Sequence, residues 1–377
     1  GMIREKTGLL LDPYFSATKL SWLLENIQEA RVRAEKGELC WGTVDAWLLF
    51  KLTGQHRTDV SNASRTMLFN IKTGTWDKEL LELFNIPKPL LPQLMPSCAE
   101  FGITRKELFG REIPVRAMLG DQQASLFGQA CFKGSAWKNT YGTGCFMLAP
   151  TGRNLVYSKH KLLSTVAWDS GDGLEYALEG SVFIGGELIK WLRDQMGIIP
   201  DAASSSSMAC SVPNSGGVYL VPAFAGLGAP YWDAEARGAI LGLSGGTKRA
   251  HIARAALEAI AFQSAELFEA FATETGQPPS VLQADGGACA NKFLMQFQAD
   301  TLGIPVRTAA NTETTAQGAA WMAGLGCGFW KNKEELSAQW KAGAEYEPGI
   351  SDKERKNLLS RWRAAVAATR SYKPQKH

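Results

Sequence analysis

Apolar residues recur at helical spacing between Tyr14 and Ile27, where Leu20, Leu23, Leu24 and Ile27 predict an amphipathic helix. A second helix is expected over residues 42–52, closed by Gly54. Residues 85–98 carry Pro87, Pro89, Pro92 and Pro96, which predicts an irregular surface connection. Residues 113–119 read as a strand, Gly120-Asp121 as a turn, and residues 122–131 as a helix.

The texture changes at about residue 133. A strand, a Gly142-Thr143-Gly144 turn and a second strand are expected over residues 136–149. A short strand at 173–178 and a helix at 182–196 follow. Four consecutive serines between Asp201 and Gly217 predict a loop. A strand at 218–221 leads into a glycine-rich excursion over residues 225–246. The strongest helix signal spans residues 251–275, with Ile252, Ala256, Ile260, Leu267 and Phe271 on one face and Gly276 as its stop. A strand at 281–284, a turn at 285–287, a helix at 291–303, a strand at 304–306 and a helix at 315–326 complete the pattern.

Strands alternating with helices argue an α/β fold. The 377 residues suffice for two domains. The boundaries expected are 1–132, 133–330 and a helical tail over 331–377. No short-period repeat is present, which excludes solenoids and propellers.

Charge narrows the partners. Forty basic residues stand against 37 acidic ones with no long basic run, so nucleic acid is not expected. No apolar run reaches bilayer length, so membrane insertion is not expected either. The seven cysteines hold no C-x-x-C pair and the four histidines no metal motif, which fits a reducing cytoplasm and assigns the histidines no chemistry. Gly1 ahead of Met2 reads as a residue left by tag removal.

Three glycine-centred turns follow expected strands: Gly120-Asp121, Gly142-Thr143-Gly144 and Asp285-Gly286-Gly287. Glycine lets backbone N–H groups come close to a phosphate, although most such turns only reverse the chain. No P-loop and no G-x-G-x-x-G motif is present, so a nucleotide would be held in another way.

Two multi-position stretches resemble the signatures of the FGGY carbohydrate kinases. They are Tyr14-Phe-Ser-Ala-Thr-Lys-Leu-Ser-Trp-Leu-Leu-Glu-Asn26 and the run from Gly238 to Leu243 continued by His251-Ile and Ala255-Ala-Leu-Glu258. Residues 61–70, 120–128, 139–146, 222–233 and 285–291 resemble the branch of that family that acts on glycerol. The resemblance implies an actin-like, ribonuclease-H-type fold of two α/β domains, with the active site between them. It implies ATP-dependent phosphorylation of glycerol, with ATP/ADP and Mg²⁺ as cofactors and a homodimer or homotetramer as the assembly. By the same resemblance Asp121 is the general base and contacts magnesium through the nucleotide. Tyr14, Gln122 and Phe146 match the polyol side. Thr143, Gly186, Gly287 and Asn291 match the nucleotide side, where Lys190 stands in place of the family's usual glutamine. A primary alcohol attacking phosphorus must lose a proton, and a carboxylate within reach accepts it. An aspartate opening a helix also suits a cap, and the two roles are compatible.

The family's opening Asp-x-Gly-Thr-Thr hairpin and its glycerol-holding Arg–Glu pair have no counterpart here. The first domain is therefore expected to be incomplete and the chain alone inactive. A sugar kinase of the same family and a non-catalytic nucleotide-binding remnant are the alternatives.

Overall fold

The computed structural model describes residues 1–372; His377 lies outside them. The centre is a seven-stranded mixed sheet. Its strands are β1 (Ala136–Tyr141), β2 (Cys145–Gly152), β3 (Leu163–Asp169), β4 (Leu174–Val182), β5 (Val281–Asp285), β6 (Val306–Ala309) and β7 (Ala342–Tyr346). They lie in the order β7-β6-β5-β1-β2-β4-β3. The β6-β5-β1 segment is parallel, and the remaining pairs are antiparallel.

The helices that matter for the site are α1 (Ser16–Asn26), α2 (Asp121–Gly128), α3 (Glu187–Asp194), α4 (Ser204–Cys210), α5 (Arg249–Thr275), α6 (Lys292–Leu302), α7 (Thr314–Gly326) and α8 (Asp352–Ser371). Helix α5 was expected to bury one face, but it is buried well beyond that face. Ala253, Ala255, Leu257, Ala259, Phe262 and Ala265 are inside as well. Small residues let the sheet approach on one side and α6 and α8 on the other. Phe262 stacks on Trp362 of α8, with ring centroids 5.3 Å apart. Burying a large side chain of this kind contributes about 1.5–3 kcal/mol.

Residues 331–372 do more than form a helical tail: β7 extends the sheet and Trp362 joins its core cluster. Residues 1–132 hold only two-stranded pairs, Arg57–Asp59 with Gln93–Met95, Phe69–Asn70 with Thr75–Trp76, and Cys98–Ile103 with Pro114–Ala117. They pack on the outer strand β3: Leu163 joins the cluster of Leu9, Phe15 and Leu20, and Val166 joins Val60, Ala63 and Phe69.

Two stretches expected to be irregular are ordered. Within residues 85–98, Gln93–Met95 pairs in parallel with Arg57–Asp59. Pro92 and Pro96 flank that strand instead of sitting in it, so no ladder donor is lost. Within residues 201–217, the serine run forms α4. Asp201 accepts from the Ser204 N–H at 2.8 Å, and the Ser205 hydroxyl donates back to the Ala202 carbonyl at 2.6 Å. Strand β3 was not foreseen, and the expected helix at 182–196 shortens to α3. Val182 still pairs with Cys145 as the end of β4, and Gly185 and Gly186 turn the chain before the helix begins.

Candidate active site

The ends of β1 and β5 open beside the N-termini of α3 and α6. The turn after β1 is held to the start of α3 by three backbone bonds: Gly185 N–H to Thr143 O at 2.8 Å, Gly186 N–H to Gly142 O at 2.8 Å, and Glu187 N–H to Thr143 O at 3.2 Å. A side chain at Gly186 would bring its Cβ to 2.7 Å from the Gly142 carbonyl oxygen, so glycine is required there for close approach. After β5, Gly286 has φ +90°, and a Cβ on it would stand 2.5 Å from the Tyr141 carbonyl oxygen. Gly287 differs, because an added Cβ would meet nothing within 4 Å.

These turns enclose a cavity of about 480 Å³. Thr143, Gly186, Lys190, Gly287 and Asn291 all line it, so the five residues expected on the nucleotide side are brought together. Ile189, Leu257, Ile260 and Leu294 give it apolar walls, while Arg193, Ser205 and Ser206 add polar groups. An apolar slot with a few convergent polar groups suits a purine nucleoside. Asn291 is already engaged: its side-chain oxygen caps α6 by accepting from Leu294 N–H at 3.0 Å, and its amide nitrogen donates to Ser205 Oγ at 3.1 Å. The Lys190 ammonium lies 3.4 Å from Glu187 on its own helix.

Asp121 is exposed as the first residue of α2, behind the N-cap Gly120. Its Oδ1 accepts from the Gln122 N–H at 2.7 Å. The turn before it is fixed from a distant segment: the Gly120 N–H donates to Ser61 Oγ at 2.9 Å. Ser61 sits in the short helix Val60–Ala63, whose cap Asp59 accepts from Ser61 N–H, Asn62 N–H and the Ser97 hydroxyl. Burial pushes the Asp59 carboxyl up, against the pull of those donors.

Gln122 reaches inward. Its Oε1 accepts from the Lys138 ammonium at 2.6 Å, and Lys138 on β1 is fully buried. Burial holds Lys138 below the usual lysine range, offset in part by the charges of Asp285, Glu179 and Asp121. Asp285, at the end of β5, accepts from Ser125 Oγ at 2.6 Å and Gln129 Nε2 at 3.2 Å on the α2 side, and from the Thr314 hydroxyl of α7. Burial pushes its carboxyl up, but the Lys138 charge and the Ser125 and Thr314 hydroxyls outweigh this and hold it below the usual carboxylate range. Asp285 thus ties the nucleotide-side turn to the helix that carries Asp121. Helices α2 and α7 touch backbone to backbone: a Cβ on Gly318 would fall 1.8 Å from the Ala124 carbonyl oxygen.

Tyr14 and Phe146 line a second cavity of about 310 Å³, with Phe15, Phe183 and Trp232. Asp121 and Gln122 are not among its lining residues. The same cavity is lined by an ion pair not foreseen from the sequence, Arg65 Nη2 to Glu179 Oε1 at 2.8 Å. Lys138, Asp285 and Ser61 also escaped notice as site residues. Nothing local singled out Lys138, which shares its strand with the polar Asn139 and Thr140, and Asp285 stood in a motif read only for its glycines.

Residues 1–128 match the N-terminal domain, and residues 137–327 the C-terminal domain, of the FGGY family of carbohydrate kinases. The chain belongs to that family, and its fold is the family's mixed α/β, actin-like ATPase architecture. It is 53% identical over 367 residues to "Glycerol kinase 2" of Thermotoga maritima, spanning 97% of this chain and 74% of that protein. The glycerol kinase of Plasmodium falciparum, solved with ADP, matches at a TM-score of 0.93 and 38% identity over 98% of this chain and 74% of that one. A gluconate kinase from Lactobacillus acidophilus matches at a TM-score of 0.87 over 99% of this chain and 75% of that one, and at 24% identity it shares the fold alone.

Proposed function

We propose that this chain belongs to an enzyme that transfers the γ-phosphoryl group of ATP to glycerol, giving glycerol 3-phosphate and ADP. The observation that carries the reading is the gathering of Thr143, Gly186, Lys190, Gly287 and Asn291 around one cavity, in a chain 53% identical to a glycerol kinase.

In this reading the purine lies between Ile189, Leu257 and Leu294, with its ribose near Asn291 and Gly287. The phosphates run toward the Thr143 turn. Asn291, its carbonyl already used as a helix cap, serves chiefly as a hydrogen-bond donor. Glycerol sits between the α2 N-terminus and the Tyr14–Phe146 cavity, with Gln122 as a polar contact. Asp121 takes the proton of the attacking hydroxyl as its oxygen bonds to the γ-phosphorus and the bond to the β-bridging oxygen breaks. Magnesium enters as part of the MgATP substrate. No group of three or more acidic, histidine or cysteine side chains is placed to hold a metal among the described residues, and Asp121 is the one carboxylate assigned a contact. No helix of the described residues is long and apolar enough to cross a membrane. In this reading the reaction runs in the cytoplasm, where ATP is available.

Calorimetric titration of the chain with ADP and with glycerol, beside an assay of glycerol-dependent ADP release, tests the proposal. Binding of both ligands supports it. A folded sample that binds neither ligand at millimolar concentration overturns it.

A further inference from the structure

Lys138 is a fully buried lysine in the middle of the sheet, a costly place for an ammonium. No carboxylate pairs with it within ion-pair distance among the described residues; its partners are the neutral Gln122 Oε1 at 2.6 Å and Thr140 Oγ1 at 2.5 Å. The charge therefore does not serve as half of a salt bridge. What it does is dictate which end of Gln122 faces inward. An ammonium only donates, so the amide oxygen must turn to it. That leaves the Gln122 NH₂ group, which makes no protein hydrogen bond among the described residues, on the branch of the planar amide turned away from Lys138, in the residue that follows Asp121 and whose backbone N–H donates to Asp121 Oδ1 at 2.7 Å.

From this geometry we infer that Lys138 is a positioning residue: it locks the Gln122 amide so that its NH₂ group donates to an oxygen of the acceptor substrate next to Asp121. The inference rests on the reading of this site as the glycerol side. An amide free to rotate would offer oxygen and NH₂ alternately, and an amide oxygen could accept from a hydroxyl. Locked by Lys138, Gln122 addresses only an acceptor lone pair. The proton of the reacting hydroxyl then has one acceptor nearby, Asp121, and the direction of its hydrogen bond is set before chemistry begins. The same strand continues from Lys138 through Thr140 to the Thr143 turn, so the lock is anchored to the nucleotide-side scaffold.

Glycerol and ADP affinities of the wild type, Lys138→Met, Gln122→Met and the double variant test this by calorimetry. Each single variant is expected to weaken glycerol binding by about tenfold, as for one lost hydrogen bond with an unpaired partner. The double variant is expected to be no weaker than either single one, because both changes remove the same donor. ADP affinity stays near wild type in Gln122→Met. Gln122→Glu keeps an oxygen for Lys138 but has no N–H, and is expected to lose glycerol as fully as Gln122→Met. Independent losses that multiply in the double variant, or a Lys138→Met protein that binds glycerol normally, overturn the inference. Should Lys138→Met fail to fold, the wild type labelled with ¹⁵N-glutamine decides. The side-chain amide signal missing from Gln122→Met must move when glycerol is added, and a stationary signal under saturating glycerol overturns the inference. A wild type that binds no glycerol at all refutes the proposed function instead.

Discussion

Ser61 Oγ accepts the backbone N–H of Gly120 at 2.9 Å, so the turn that presents Asp121 is fastened to a helix 59 residues earlier in the chain. The hydroxyl is buried, and so is the N–H it receives. Ser61→Ala is expected to cost about 1–3 kcal/mol, because the Gly120 donor is left in a dry place without a partner. Denaturant unfolding of the variant against wild type measures the loss. A change below about 0.5 kcal/mol would place this bond among ordinary surface contacts.

Gly186 and Gly287 line the same cavity but answer differently to an added side chain. A Cβ on Gly186 collides with the Gly142 carbonyl, so Gly186→Ala should disturb the turn and lower the melting temperature. A Cβ on Gly287 meets nothing within 4 Å, so Gly287→Val should fold normally and project into the space the nucleotide needs. Thermal melts with and without ADP separate the two. The expected result for Gly287→Val is a wild-type melt that ADP no longer raises, and an undiminished ADP shift would remove Gly287 from the nucleotide contact.

The elements around the site were readable where local chemistry dominates. The stop of α5 at Gly276, the turn at Gly142-Thr143-Gly144 and the start of α6 at Asn291 each follow from residues within a few positions. The failures share a physical cause. The serine run of α4 has little helix propensity, and it folds because Ser205 and Ala209 are buried against neighbouring helices. Strand β3 is buried along nearly its whole length, so it lacks the alternation that marks a strand. The roles of Ser61, Lys138 and Asp285 depend on partners 59, 16 and 160 residues away, and such contacts leave no local trace. The nucleotide-side residues could be named only through resemblance to the FGGY signatures.

Acid should weaken the packing of the N-terminal segment through Asp77. Burial pushes its carboxyl up, but the Lys6 ammonium, the Asn70 amide and the Leu80 N–H outweigh burial and hold it below the usual carboxylate range. The folded pKa lies below the unfolded one, so the stabilisation is present above the unfolded value and is lost as pH falls through the folded one. Asp77→Asn removes that dependence. Unfolding free energies at neutral pH and at about pH 3 should therefore converge more closely in the variant than in wild type. An equal acid drop in both proteins would assign the loss to other carboxylates, such as Glu274, held down by Ser158 and His160 against burial.

Asp121→Asn separates the two roles open to an aspartate at a helix start. The N-cap is Gly120, and the one hydrogen bond of the Asp121 side chain among the described residues is to the adjacent Gln122 N–H, which an asparagine oxygen also accepts. Asp121 is exposed, so the exchange leaves no buried group unpaired. Stability and glycerol affinity should stay close to wild type. The asparagine oxygen cannot take up a proton, however, and removal of a general base costs about 10²–10⁴ in rate. The expected signature is a fall in kcat with KM for glycerol nearly unchanged, since the interaction lost is made in the transition state and not in the ground state. Rates of glycerol-dependent ADP release, measured in a protein that carries this chain at the full length of its relatives and taken with melting temperatures of both proteins, supply the comparison. A variant that turns over at the wild-type rate would leave Asp121 as a helix-start residue alone, and the proton would have to pass to another acceptor near Gln122.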